Sequence, residues 1–231
     1  MNNQLTHDCR KELYIEWDQL NKSGWLEFSI DAPTKDEFIA NLLSVAVQLG
    51  TPVPSRTGGG IYDLLRPTEQ ENSHPNSLSR KYSSGEFPLH VDTAHWIIPC
   101  HYVMLGCLSP GVSNRATFFL DTEGIVLSSS QFQLLHQTPI RIVNGRKSFF
   151  GTIFSKERRF VRYDPGCMKP VCNNGQLALD IFSYENCADR IQSVNWIKNK
   201  VIIFNNWRML HGRQESSCIN TERALIRISI K

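Results

Sequence analysis

The 231-residue chain is 41% hydrophobic and carries 25 basic against 22 acidic side chains, a formal net charge of +3. Such a length and apolar content sustain a sizeable core in one domain over 1–231, and a mild charge excess without a long basic run excludes an electrostatic nucleic-acid footprint. No window approaches the ~20 apolar residues of a membrane span, the polar start lacks the apolar core of a signal peptide, and seven scattered cysteines without a C-x-x-C pair argue against a zinc ribbon or a secreted disulfide framework. The expectation is a cytoplasmic protein whose thiols are reduced and act mostly as small core residues.

In chain order, residues 9–21 place Leu13, Ile15, Trp17 and Leu20 among charged neighbours, which predicts a helix ending near Gly24. Residues 25–30 alternate as a strand. Thr34 caps a helix over 35–49 that carries Phe38, Leu42, Val45 and Val47 as its apolar face and closes at Gly50. The breaker-rich stretch 51–60 holds three consecutive glycines, yet no G-K-[ST] follows and no helix starts there, so it reads as a turn and not a phosphate loop. A strand covers 61–65.

Residues 67–86 form a long polar loop just before the motif considered next, a position that suits a lid. Short segments rich in β-branched and aromatic residues predict strands at 102–108, 115–120, 140–143, 148–154, 159–163, 200–204 and 223–230. Helices are predicted over 129–136 and 174–193. Many short strands with few helices point to a mainly β fold, a jelly roll or a related double-layered barrel that takes its ligand at the open mouth. No internal repeat is visible.

The chemistry centres on Phe87-Pro88-Leu89-His90-Val91-Asp92-Thr93. On a strand, side chains alternate between faces, so His90 and Asp92 point the same way. An H-x-D tripeptide alone recurs by chance, and its plain reading is a hydrogen-bonded polar pair at a sheet edge. His211 adds weight, because it follows the strand 200–204 and an Asn205-Asn206-Trp207 turn, where a barrel strand would deliver a residue to the mouth. Two histidines and one carboxylate on one side of a metal is the facial arrangement of non-haem Fe(II) oxygenases. Arg223 and Arg227, four apart on a strand, share a face; an inward arginine calls for an anion, and guanidinium geometry suits a carboxylate, here that of a bound dicarboxylate. His95, three residues past Asp92, would face the other side of a continued strand and reads as a packing histidine.

Over about 49–230 these residues resemble the Fe(II)/2-oxoglutarate-dependent dioxygenases of the taurine dioxygenase and clavaminate synthase-like group. The resemblance implies a double-stranded β-helix (jelly-roll) core with flanking helices, and His90, Asp92 and His211 as catalytic metal ligands. It implies 2-oxoglutarate binding through Thr117, which lies 27 residues after His90 in Ala116-Thr117-Phe118-Phe119, and Arg223, which lies 12 residues after His211. Arg227 corresponds to an arginine that holds an anionic group of the substrate in part of the group; a second contact to the co-substrate or a structural ion pair is an equal alternative. Arg162 and Asp164 resemble a charged segment that faces the substrate in amino-acid-oxidising relatives, and equally suit a surface turn.

The implied reaction uses Fe(II), 2-oxoglutarate and O2 to hydroxylate a small polar, carboxylate-bearing substrate such as a free amino acid, releasing succinate and CO2. Asp92 fills the position that halogenating relatives leave to chloride, so halogenation is not expected. Rival readings are a natural-product tailoring oxygenase that desaturates or cyclises, a silent metal- or ligand-binding barrel, and a cupin-like Zn2+ or Mn2+ hydrolase or isomerase.

Overall fold

The computed structural model describes residues 17–67, 85–112, 115–213, 215 and 222–231, without the side chain of residue 158. Most of the lid expected over 67–86 lies outside the described residues, as does the first part of the N-terminal helix, of which α1 (Trp17–Ser23) is described. Helix α2 (Lys35–Leu49) starts where the Thr34 Oγ1 accepts the Glu37 N–H at 3.2 Å. Further helices cover Ser129–Gln137, Asn173–Asp180 and Tyr184–Cys187.

The strands are β1 (Trp25–Ser29), β2 (Pro52–Val53), β3 (Asp63–Leu65), β4 (Phe87–His90), β5 (Tyr102–Ser109), β6 (Thr117–Asp121) and β7 (Ile140–Asn144), then β8 (Lys147–Gly151), β9 (Met168–Pro170), β10 (Gln192–Val194), β11 (Lys200–Asn205), β12 (Met209–Arg213) and β13 (Ala224–Ile230). They form a six-stranded sheet in the order β1-β11-β5-β13-β2, with β3 also on β13, a four-stranded sheet β10-β6-β12-β4 and a three-stranded sheet β8-β7-β9. Every pairing is antiparallel.

Period-two alternation divides the interior into layers. On the large sheet, Met104, Ile203, Ile226 and Ile228 pack under α1 and α2 with Phe38 and Leu42. The intervening positions Val103, Leu105, Cys107, Ile202, Phe204 and Leu225 turn the other way and meet Phe119 and Met209 of the four-stranded sheet. The opposite face of that sheet, with Leu89, Phe118, Leu120 and Leu210, packs on the three-stranded sheet and the later helices. Helix α2 comes so close to β5 that a Cβ on Gly106 would lie 2.6 Å from Leu42 Cδ1, so glycine sets that spacing.

Two expectations are corrected, and one strand is added. The helix over 174–193 breaks at Phe182, which turns fully into the core, after which Ser183 caps a new short helix by accepting the Asn186 N–H, and the chain ends the segment as β10. The strand expected over 159–163 reduces to a single bridge between Phe154 and Val161, because the Val161 N–H is taken by the Trp207 carbonyl and the Arg162 N–H by that of Ile153. Strand β12, in which β-branched residues are absent, was not anticipated; its two flanking strands hold it in place.

No described helix is long and apolar enough to cross a membrane. Cys100, Cys107, Cys167, Cys172 and Cys187 are free thiols. Burial pushes the Cys100 thiol up to about 12 and that of Cys107 up to about 11, which suits inert core residues.

Candidate metal centre

Strand β12 runs between β4 and β6, which sets His211 directly opposite His90 on one side and Phe119 on the other. The two imidazole rings stand 4.2 Å apart between centroids. Gly212 permits this approach: a Cβ there would lie 2.8 Å from the Phe87 carbonyl oxygen. Strand β4 ends at His90, the Val91 N–H turns to the Tyr163 carbonyl, and the chain enters a turn at Asp92.

Asp92 is therefore placed by something other than a strand ladder. The fully buried carboxamide of Asn206 accepts the Asp92 N–H at 2.8 Å and donates to the Asp92 carbonyl at 3.0 Å and the Cys100 carbonyl at 2.8 Å. Next in the chain, Thr93 holds a left-handed φ of 56°, which is costly for a β-branched residue. Its Oγ1 accepts the Cys100 N–H at 2.8 Å, so the same loop that Asn206 secures also fixes the strained residue.

One donor atom from each of His90, Asp92 and His211 lies within 4.8 Å of the others, and all three residues are buried. His90 Nδ1 is 2.9 Å from the Pro88 carbonyl, which assigns the proton to that nitrogen and leaves Nε2 as a lone-pair donor. Burial, and then neighbouring His90, pushes His211 down to about 3, so its ring is neutral at physiological pH. Burial alone would push the Asp92 carboxyl up; the Arg227 guanidinium overcomes this and holds it below the usual carboxylate range. Asp92 Oδ2 is buried without a hydrogen-bond partner, 4.0 Å from His211 Nε2. Two imidazoles and an ionised carboxylate with one orphaned oxygen form a donor set that fits a divalent first-row metal such as Fe(II).

Three arginines, Arg115, Arg213 and Arg223, also lie close enough to feel one another's charge. Arg223, 8% exposed, keeps a buried Nε with no hydrogen-bond partner. Burial, and then the like charge of Arg115, pushes it down to about 10. Arg213 on β12 is pushed down to about 9 by burial and by Arg115 and Arg223; its guanidinium donates to the Gly85 carbonyl and lies 4.4 Å over the Phe87 ring. Thr117, opposite Arg213 across the sheet, accepts the Trp196 Nε1–H at 2.9 Å, which leaves its own O–H proton for another acceptor. The buried Nε of Arg223, without a hydrogen-bond partner, suits an anion.

The other charged residues singled out in the sequence have defined partners. Arg227, on β13 directly opposite Asp63 of β3, donates to Asp92 Oδ1 at 2.8 Å and to Asp63 Oδ2 at 2.9 Å. Arg162 is buried and donates to the carbonyls of Ala94, Trp96 and Ile97, under the rings of Phe149 and Phe160. It is neither a surface residue nor a free cation; it secures the turn after Asp92. Asp164 is buried and accepts the Gly166 N–H at 2.7 Å. His95 does not face away: because the strand stops at His90, the turn carries it back toward Asp164 and Asp92, whose charges partly offset the burial that holds its imidazole below the ordinary range.

Asn206, Asp63 and Thr93 carry no role that the sequence signals, and Trp196, which reads as core or pocket wall, also donates to Thr117. A doubled asparagine at 205–206 marks a turn, but the partners of Asn206 are 114 and 106 residues away in the chain. Asp63 looks like any acidic residue at a strand end until β3 is set against β13.

No family model matches the chain, and no curated protein does. Solved structures do. Asparagine oxygenase, in complex with Fe(II), 2S,3S-3-hydroxyasparagine and succinate, superposes with a TM-score of 0.76 at 16% identity, covering 93% of this chain and 77% of that one. The non-heme iron oxygenase OrfP in complex with Fe and alpha-ketoglutaric acid does so with a TM-score of 0.71 at 17% identity over 94% and 77%. OrfP in complex with Fe, succinate and (3S)-hydroxy-L-Arg gives 0.72 at 17% identity over 94% and 77%. The chain has the fold of these non-haem iron oxygenases.

Proposed function

We propose that this chain is an Fe(II)- and 2-oxoglutarate-dependent oxygenase that hydroxylates a small carboxylate-bearing substrate, in the first instance a free amino acid. The observation that carries the reading is the His90–Asp92–His211 donor set together with a buried Arg223 whose Nε has no hydrogen-bond partner. The metal site alone suits several metalloenzymes; the anion pocket selects a co-substrate with a free carboxylate. The two larger sheets are read as the halves of a double-stranded β-helix, with the whole chain as one domain. The solved relatives in complex with 3-hydroxyasparagine and 3-hydroxyarginine support the substrate class, and the free thiols support a cytoplasmic setting.

His90, Asp92 and His211 would hold the iron, and Arg223 with the Thr117 hydroxyl would hold the distal carboxylate of 2-oxoglutarate. Iron and co-substrate together supply the oxidising chemistry, in which O2 is consumed, 2-oxoglutarate becomes succinate and CO2, and one oxygen atom enters a substrate C–H bond. The protein's share is placement. Trp196 orients the Thr117 hydroxyl, Asn206 and Arg162 secure the loop that carries Asp92, and Phe119 and Phe204, both fully buried beside His211, exclude water from that side. Asp164, electrostatically coupled to His95, is assigned to the substrate side, where its carboxylate suits a substrate ammonium. With a carboxylate at position 92 the third ligand is present, which favours hydroxylation over halogenation.

The test is aerobic incubation of purified protein with Fe(II), 2-oxoglutarate and a panel of free amino acids. The reading predicts succinate formation coupled to a product heavier by one oxygen atom. Succinate that never rises above the level without iron would overturn it.

A further inference from the structure

Arg227 lies on the face of β13 that looks between the two larger sheets, and its guanidinium is shared between two carboxylates. Nη1 donates to Asp92 Oδ1 at 2.8 Å. Nη2 and Nε donate to Asp63 Oδ2 at 2.9 and 3.3 Å, and Asp63 Oδ2 also accepts Ser55 Oγ at 2.6 Å. Asp63 and Arg227 are register partners across β3 and β13, so the sheet itself sets this contact. All three charged side chains are largely buried, at 7, 15 and 18% exposure for Asp92, Asp63 and Arg227.

The consequence falls on Asp92. A carboxylate can meet a metal through one oxygen or through both. Here its two oxygens have been made unequal: Oδ1 is engaged by a guanidinium, while Oδ2 has no hydrogen-bond partner and faces His211 Nε2. A carboxylate held in that way is a one-oxygen ligand. Three protein donors then occupy three positions, whereas a chelating Asp92 would take a fourth and crowd out the co-substrate or O2. Arg227 is likewise poorly placed to recruit an anionic substrate group, because its Nε, Nη1 and Nη2 already donate to two carboxylates.

We infer that Arg227, braced by Asp63, is a positioning residue that presents Asp92 to the metal through Oδ2 alone, and that it is not the anchor for the substrate carboxylate. This rests on the metal reading above. It also brings Asp63, on a strand far from the H-x-D motif in sequence, into the working parts of the site, and it links the 51–60 turn to the metal through Ser55.

The test is titration of the metal-free, full-length protein with Co(II), followed by visible absorption and calorimetry without substrate, for the natural chain, Arg227→Lys and Asp63→Asn. Arg227→Lys keeps the charge but loses the fork that reaches both carboxylates at once. Loss of a partner that orients a metal ligand typically lowers affinity or activity about 10–100-fold, so both variants are expected to weaken Co(II) binding on that scale and to alter its ligand-field bands. In turnover assays kcat should fall while the substrate KM moves less than about threefold. Co(II) affinity and spectrum equal to the natural chain's, with a substrate KM raised more than tenfold in Arg227→Lys, would overturn the inference in favour of a substrate anchor. If Arg227→Lys loses its cooperative thermal transition, the substrate-free Co(II) titration of Asp63→Asn decides alone. A natural chain that binds no Co(II) would instead overturn the metal reading itself.

Discussion

Asn206 clasps the peptide of Asp92 from both sides, accepting its N–H at 2.8 Å and donating to its carbonyl at 3.0 Å, and so connects the two halves of the metal site through one fully buried carboxamide. Removing it strands the Asp92 N–H and the Cys100 carbonyl in the interior. A buried polar group without a partner costs about 1–3 kcal/mol, so Asn206→Ala is expected to lose roughly 3 kcal/mol of stability by denaturant unfolding. Divalent metal affinity should fall with it, since the Asp92 peptide would no longer be held from both sides. Unchanged metal affinity in a folded Asn206→Ala protein would show that the carboxamide serves stability alone.

Arg223 gives an opposite signature. Its Nε is unpartnered and its nearest charges are arginines, so the cation is a burden on the free protein and an asset only when an anion is present. Arg223→Ala should leave the melting temperature of the free protein unchanged or higher, and should abolish the stabilisation that 2-oxoglutarate confers on the natural, iron-loaded chain. Charge-assisted hydrogen bonds contribute about 1.5–3 kcal/mol, which converts to a rise in the apparent 2-oxoglutarate constant of roughly 10–100-fold. Equal co-substrate stabilisation in both proteins would remove Arg223 from the pocket.

Gly212 sets the distance between the strands that carry the two histidines. The Cβ of an alanine would meet the Phe87 carbonyl oxygen at 2.8 Å, and backbone cannot swing aside as a side chain can. Gly212→Ala is expected to cost about 1–3 kcal/mol through overpacking. Because His211 and His90 face each other across this pair, the variant should also lose metal affinity, measured by Co(II) titration. The control is Gly106→Ala, which crowds α2 against β5 on the far side of the large sheet and should lower stability while leaving Co(II) affinity alone.

The pH dependence has a definite sign. Burial holds His211 at about 3 against an ordinary 6.5, so between those values the unfolded chain takes up a proton that the folded chain refuses. Its contribution is complete above about pH 6.5 and is lost progressively as the pH falls toward about 3. His95 and His101, both held below the ordinary range by burial, act in the same direction. The melting temperature of the metal-free protein should therefore drop between roughly pH 7 and pH 5, and bound metal should leave over the same range as protons compete for the imidazoles. A melting temperature that rises on acidification would contradict this arrangement.

The residues of the site were legible in the sequence to the extent that their role depends on chemical type and spacing. His90, Asp92 and His211 are brought together, but only partly for the reason that alternation on a strand supplies: the strand stops at His90, and Asn206 does the rest. Helix α2 was readable from its cap and from Phe38, Leu42 and Val45, which are local signals, whereas Val47, expected on the same face, points to solvent. Strand β12 was not, because its sequence Met-Leu-His-Gly-Arg has no strand-like composition and depends on its neighbours β4 and β6. The targets of Arg162 and Arg227 were out of reach for the same reason. A guanidinium announces that it needs acceptors, and only the fold decides whether these are carbonyls 65 to 68 residues away, carboxylates 135 and 164 residues away, or a ligand.

The central claim is that His90, Asp92 and His211 hold iron beside a pocket for 2-oxoglutarate. Anaerobic addition of Fe(II) and then 2-oxoglutarate to the metal-free protein tests both halves in one visible spectrum. The claim predicts a charge-transfer band that requires both additions, vanishes in His211→Ala, and needs far more 2-oxoglutarate in Arg223→Ala. A natural chain that shows no such band, or one that persists in His211→Ala, would contradict it.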